Sequence, residues 1–131
     1  MDRKPYLDAL VSRPWSREHH CWDLVRRIRR DLFGCEALPP FGVDLVDDPR
    51  RRRDTFKTHP ARADWVEVFA PADGDVVIMT KPGTLHAGIY LLTQGRGLVW
   101  HSDQPHGVAA ETVTEVRELR RWNTRFFRKN P

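Results

Sequence analysis

The chain has 131 residues, of which 40% are hydrophobic and 31% charged, and its formal net charge is +4. A chain of this length fits one domain, taken here as residues 1–131, and can bury a core without disulfide or metal support. No apolar run approaches the roughly 20 residues of a membrane helix, and the N-terminus is too polar for a signal peptide, which predicts a protein made in the cytoplasm without membrane contact.

The clearest element of the N-terminal half is an amphipathic helix. A helical turn is expected at residues 6–11, and Pro14 ends it. In the following run, SREHHCWDLVRRIRRDLFG, apolar residues recur at the 3.6-residue spacing of one helical face. Ser16 is the predicted N-cap and Gly34 the C-cap. The pattern therefore places Cys21 in the first turn of this helix.

The middle of the chain is less regular. Pro39 and Pro40 interrupt it, and residues 56–65 are predicted to form a short helix. The four arginines from Arg50 to Arg53 are flanked by aspartates, so we interpret them as a solvated or partner-facing loop, and nucleic-acid binding as unlikely.

Strand patterns dominate from residue 73 onward. Residues 73–79, 86–92 and 98–102 are predicted strands, with a hairpin turn at residues 94–97. Residues 111–127 are expected to form a strand followed by a helix. The whole pattern predicts an α+β fold, with the cysteine-bearing helix packed on an antiparallel sheet.

Three residues form a candidate catalytic group. A helix N-terminus favours the thiolate of Cys21 because its backbone N–H groups and dipole attract negative charge. A thiol nucleophile also needs an imidazole base and a polar group that orients it. A pairing of His86 with His101, and of Gly88 with Val99, would project both imidazoles from the same face of the sheet.

Five stretches in order resemble the NlpC-type branch of papain-like cysteine peptidases, and within it the small peptidases encoded with phage tail genes. They run from about Trp15 to Ser102 and read RPWSREHHCWDLVRRI, FGCEALP, ADGDVVIM, HAGIYL and GLVWHS. The resemblance implies a papain-like fold with Cys21 as nucleophile, His86 as base and His101 as the orienting residue. The family's usual aromatic at the oxyanion site is not cleanly placed, so Trp15 or Tyr6 is expected to take its role beside the backbone N–H of Cys21, with His20 in the substrate groove. No metal and no cofactor are implied.

The resemblance also implies a thiol protease that hydrolyses the peptide stems of peptidoglycan. Its setting would be a phage or phage-like tail tip, assembled with other tail proteins in the host cytoplasm and carried in the virion. His20 departs from the family pattern, which usually has aspartate before the cysteine. A structural tail-tip or tail-assembly protein with little activity is therefore the first alternative. A metal-binding module built from His19, His20, Cys21, His86 and His101 is the second, although its spacing fits no zinc signature.

Overall fold

The computed structural model describes residues 3–11, 13–16, 20–35, 48–103 and 107–130, except for the side chains of Pro49 and Arg52. Within these ranges the helices are α1 (Arg3–Leu10), α2 (Cys21–Phe33), α3 (Pro49–Thr58), a 3₁₀ helix (Pro60–Asp64) and α4 (Val113–Glu118). The strands are β1 (Trp65–Val68), β2 (Val76–Lys81), β3 (Thr84–Thr93), β4 (Arg96–Asp103), β5 (Gly107–Glu111) and β6 (Asn123–Lys129).

The six strands form one sheet in the order β1-β6-β2-β3-β4-β5, and every neighbouring pair is antiparallel. One apolar core lies between the sheet and α2, with Trp22, Ile28 and Ile89 fully buried in it. A second core covers the opposite face, where Val77 of β2 packs with Val116 of α4. The predicted α+β class is confirmed. None of the helices in the described ranges has both the length and the apolar character needed to cross a bilayer.

The cysteine-bearing helix is confirmed, but it begins later than predicted. Cys21 is its first residue, His20 is the N-cap, and Ser16 lies in the irregular segment before it. Gly34 ends the helix as expected, since its φ of 64° is the left-handed conformation that glycine adopts without strain. Cys21 therefore lies among the first backbone N–H groups of α2, where the sequence placed it.

The central hairpin is confirmed, with a shorter turn than predicted. Gln94 and Gly95 alone form the turn, and both have positive φ (52° and 78°), as a two-residue type I′ turn requires. His101 consequently pairs with Gly88 and not with His86. The predicted register was wrong by two residues. A shift of two preserves the face of each side chain, so the two histidines still point the same way.

The C-terminal order was predicted wrongly, because α4 comes first and β6 follows it. The helix start is specified by a capping box: the Thr112 hydroxyl accepts from the Glu115 N–H, and the Glu115 carboxylate accepts from the Thr112 N–H. The arginine run was also misread as a loop. It lies in α3, which begins at Pro49 with Asp48 as its N-cap. Strands β1 and β5 were not predicted.

Candidate active site

Two histidines on neighbouring strands form the centre of the site. Nε2 of His86 on β3 lies 3.0 Å from Nδ1 of His101 on β4, which is hydrogen-bond distance, and the rings meet edge to face. Both side chains are buried, with 7% of His86 exposed and none of His101. Antiparallel pairing of β3 with β4 brings them together across the sheet.

The chain of contacts continues to two residues that the sequence analysis missed. Nε2 of His101 lies 2.7 Å from Oε1 of Glu111, the last residue of β5, and Arg120 Nε donates to Oε2 of the same carboxylate at 3.0 Å. The capping box at Thr112 was the available signal, because it marks the end of the preceding segment and leaves Glu111 at a strand end. Without β5, there was no reason to place Glu111 beside His101.

The indole ring of Trp122 packs against His86. The Trp122 ring stacks on the imidazole with centroids 5.3 Å apart and planes 23° apart. Its electron-rich face attracts cations: the Lys81 ammonium also lies 4.2 Å from the Trp122 centroid. An indole ring stacked on an imidazole in this way can stabilise a positive charge on that imidazole.

Cys21 approaches the sheet from the side opposite to the histidines. Its side chain is 4% exposed and belongs to the core beneath α2, which packs on β3 and β4. His86 and His101 point to the α4 face, as the contact with Trp122 indicates. However, α2 begins at the sheet end that carries both histidines: His20 and Ser102, the neighbour of His101, line one small cavity. The cysteine-bearing helix start and the two histidines thus lie at the same end of the sheet, on opposite faces.

Of the other residues considered for the groove, Trp15 and His20 lie before Cys21 in the chain, whereas Tyr6 lies at the opposite end of α2. Trp15 is half-buried in the segment leading to α2, and His20 is the half-buried N-cap. The Tyr6 hydroxyl donates to Asp31, so it is held at the far end of α2 from Cys21.

Cys35 lies beyond the C-terminal end of α2 and is half-buried, and Nη2 of Arg29 donates to its Sγ at 3.3 Å. His19 and His106 lie outside the described residues.

Burial makes His101 reluctant to take up a proton. It lowers the pKa of His101 below its usual 6.5, although Glu111 and Asp103 raise it through their negative charges. The unfolded chain therefore binds this proton more tightly than the folded protein does. We expect the free energy of unfolding to fall as the pH decreases below about 6.5.

Urea unfolding at pH 7.5, 6.5 and 5.5 measures this effect. His101→Gln, which cannot titrate, is expected to lose less stability than the wild type over the same interval. An equal loss in both proteins would show that other groups cause it.

One nitrogen from each of His86 and His101 and a carboxylate oxygen of Asp103 lie within 4.8 Å of one another, as three metal ligands could. The imidazole nitrogens are, however, only 3.0 Å apart and share a hydrogen bond. Tetrahedral zinc with bonds of about 2.05 Å needs its ligand nitrogens about 3.3 Å apart. A metal would have to break the bond between the histidines.

We therefore expect EDTA to leave any hydrolytic activity of this site unchanged, and added zinc to inhibit it. The measurement is hydrolysis of purified cell wall before and after chelation. Loss of activity in EDTA, restored by zinc, would contradict this and support the metal alternative.

A scan against protein-family models finds no match to this sequence, and a search of curated proteins finds none either.

Proposed function

We propose that this protein is a cysteine hydrolase of the NlpC type, with Cys21 as nucleophile and His86 as base. The observation that carries the proposal is the buried hydrogen bond between His86 and His101, at the sheet end where the cysteine-bearing helix begins. A surface histidine needs no such partner, whereas a general base needs one to fix its orientation. The stacked Trp122 adds support because it favours the protonated imidazole.

The reaction would proceed through a thioester. His86 takes the Cys21 proton, and the sulfur attacks the amide carbonyl carbon. His86 then returns the proton to the leaving amine as the C–N bond breaks. Water, deprotonated by His86, hydrolyses the thioester and releases the acid and the free thiol. The backbone N–H of Cys21 would stabilise the oxyanion, together with a donor from Trp15 or His20.

The proposed substrate is the peptide stem of peptidoglycan, and the proposed setting is the tail tip of a phage or phage-like particle. Both come from the resemblance of the five sequence stretches. Other tail or tail-assembly proteins would then be its partners, and the protein would pass from the host cytoplasm into the virion.

Incubation of the full chain with purified peptidoglycan tests this function, and mass spectrometry identifies the peptides released. New peptide termini are expected with the wild type and not with Cys21→Ser. If the correctly folded wild type releases no peptides from walls of several chemistries, the structural tail-tip alternative is favoured.

His101 is expected to contribute less than His86, because an orienting group does not carry the proton. His101→Ala should therefore retain more hydrolytic activity than His86→Ala when both are compared by kcat/KM. The reverse order would show that the two histidines had been assigned the wrong roles.

A further inference from the structure

His86, His101 and Glu111 form a chain of hydrogen bonds in which the position of one hydrogen determines the position of the next. Glu111 is paired with Arg120, and a carboxylate offers only acceptors, so the Nε2 of His101 that faces it must carry the hydrogen. Neutral His101 then has a lone pair on Nδ1. His86 must accordingly donate from Nε2, which leaves the lone pair of its own ring on Nδ1.

We propose that Glu111 is a positioning residue that sets the tautomers of both histidines in series, so that His86 presents an unprotonated Nδ1 as the base. The proposal rests on the hydrolase function above. It also gives Arg120 a role, since the ion pair holds the carboxylate in an orientation that presents an oxygen to His101. The buried environment lowers the pKa of His101 and keeps the ring neutral, as the chain requires.

The role of Arg120 makes Glu111→Gln a directed test. The Arg120 Nε–H needs an acceptor, so the amide oxygen of the glutamine would turn towards Arg120 and its NH₂ towards His101. His101 would then accept at Nε2 and donate from Nδ1, and His86 would accept at Nε2 and hold its hydrogen on Nδ1. This tautomer cannot take the thiol proton, and it opposes formation of the His86 imidazolium.

The experiment uses ¹⁵N NMR of the histidine rings at pH 7.5, which assigns the hydrogen to Nδ1 or Nε2 whether or not the protein is active. The wild type is expected to carry Nε2–H on both rings, and Glu111→Gln to carry Nδ1–H on both. In a Cys35→Ser background, Glu111→Gln should also slow alkylation of Cys21 by iodoacetamide, on the order of 100-fold, as loss of a general base does. Glu118→Gln, which removes an exposed carboxylate nearby, should change neither result.

The double variant Glu111→Gln/Arg120→Ala separates this role from a structural one. Without Arg120 the amide can turn its oxygen to His101, so the double variant should recover Nε2–H and part of the alkylation rate. If Glu111 had only a structural role, adding Arg120→Ala would lower the alkylation rate further instead of restoring it.

A His86 ring in the wild type that carries its hydrogen on Nδ1 and none on Nε2 would overturn the proposal, and this result needs no variant to fold. Unchanged tautomers in Glu111→Gln would overturn it as well. The expected tautomers in a protein that cleaves no wall peptide would support the positioning role while refuting the hydrolase.

Discussion

Cys21→Ser and His86→Ala are each expected to lower the hydrolysis of cell-wall peptides by roughly 10⁴-fold or more. Serine has the size of cysteine but lacks a thiol that ionises near neutral pH, and alanine leaves no group to accept the proton. The two residues act as one unit, so the double variant should be about as impaired as either single variant. The measurement is kcat/KM on a stem peptide released from the wall by the wild type.

Cys35→Ser is the matched control, because it makes the same chemical change at the opposite end of α2. Serine can still accept from Arg29, so the folded structure and the activity should persist. Near wild-type turnover by Cys21→Ser would refute the mechanism. Equal losses in Cys21→Ser and Cys35→Ser would indicate a structural effect of removing either thiol.

The second large effect concerns the reactivity of Cys21, which can be measured without a substrate. A free thiol with a pKa of about 8.5 is only about 0.3% thiolate at pH 6. The start of α2 favours the thiolate, and the proposed partner His86 would favour it further. In a Cys35→Ser background, iodoacetamide at pH 6 should therefore label Cys21 well above the rate of a free thiol. His86→Ala should slow this labelling by roughly 100-fold.

Cys35 is removed for this measurement because it is more exposed than Cys21 and lies beside Arg29. Exposure alone would speed the labelling of Cys35, so a comparison of the two thiols in one protein would not show whether Cys21 is activated. A denatured sample supplies the free-thiol rate at each pH. Labelling of Cys21 at or below that rate, unaffected by His86→Ala, would mean that the thiol is not activated. The structural tail-tip alternative would then be preferred.

Local signals were sufficient for the elements that carry Cys21, His86 and His101. The apolar spacing of α2 and its Gly34 cap are properties of neighbouring residues, as are the apolar, β-branched runs of β2, β3 and β4. Side-chain alternation alone placed His86 and His101 on one face, and for this reason an error of two residues in the register left that prediction intact.

The errors at the C-terminus have a local cause that the sequence did contain. Thr112 and Glu115 have the spacing of a capping box, which specifies a helix starting at Val113. The helix that follows is only six residues long, and in NTRFFRK after it only the adjacent Phe126 and Phe127 are buried. Short elements of this kind are decided by packing on the sheet more than by propensity.

By itself, the sequence determined the α+β class, the helix that carries Cys21 in its first turn and the shared face of His86 and His101. Only the tertiary structure decided that Glu111 and Arg120 complete the histidine chain, and that Trp122 covers His86. These contacts join residues from β3, β4, β5 and the α4–β6 connection, so they depend on strand order and register. Both are set by long-range pairing and burial, which leave no periodic pattern within any one segment.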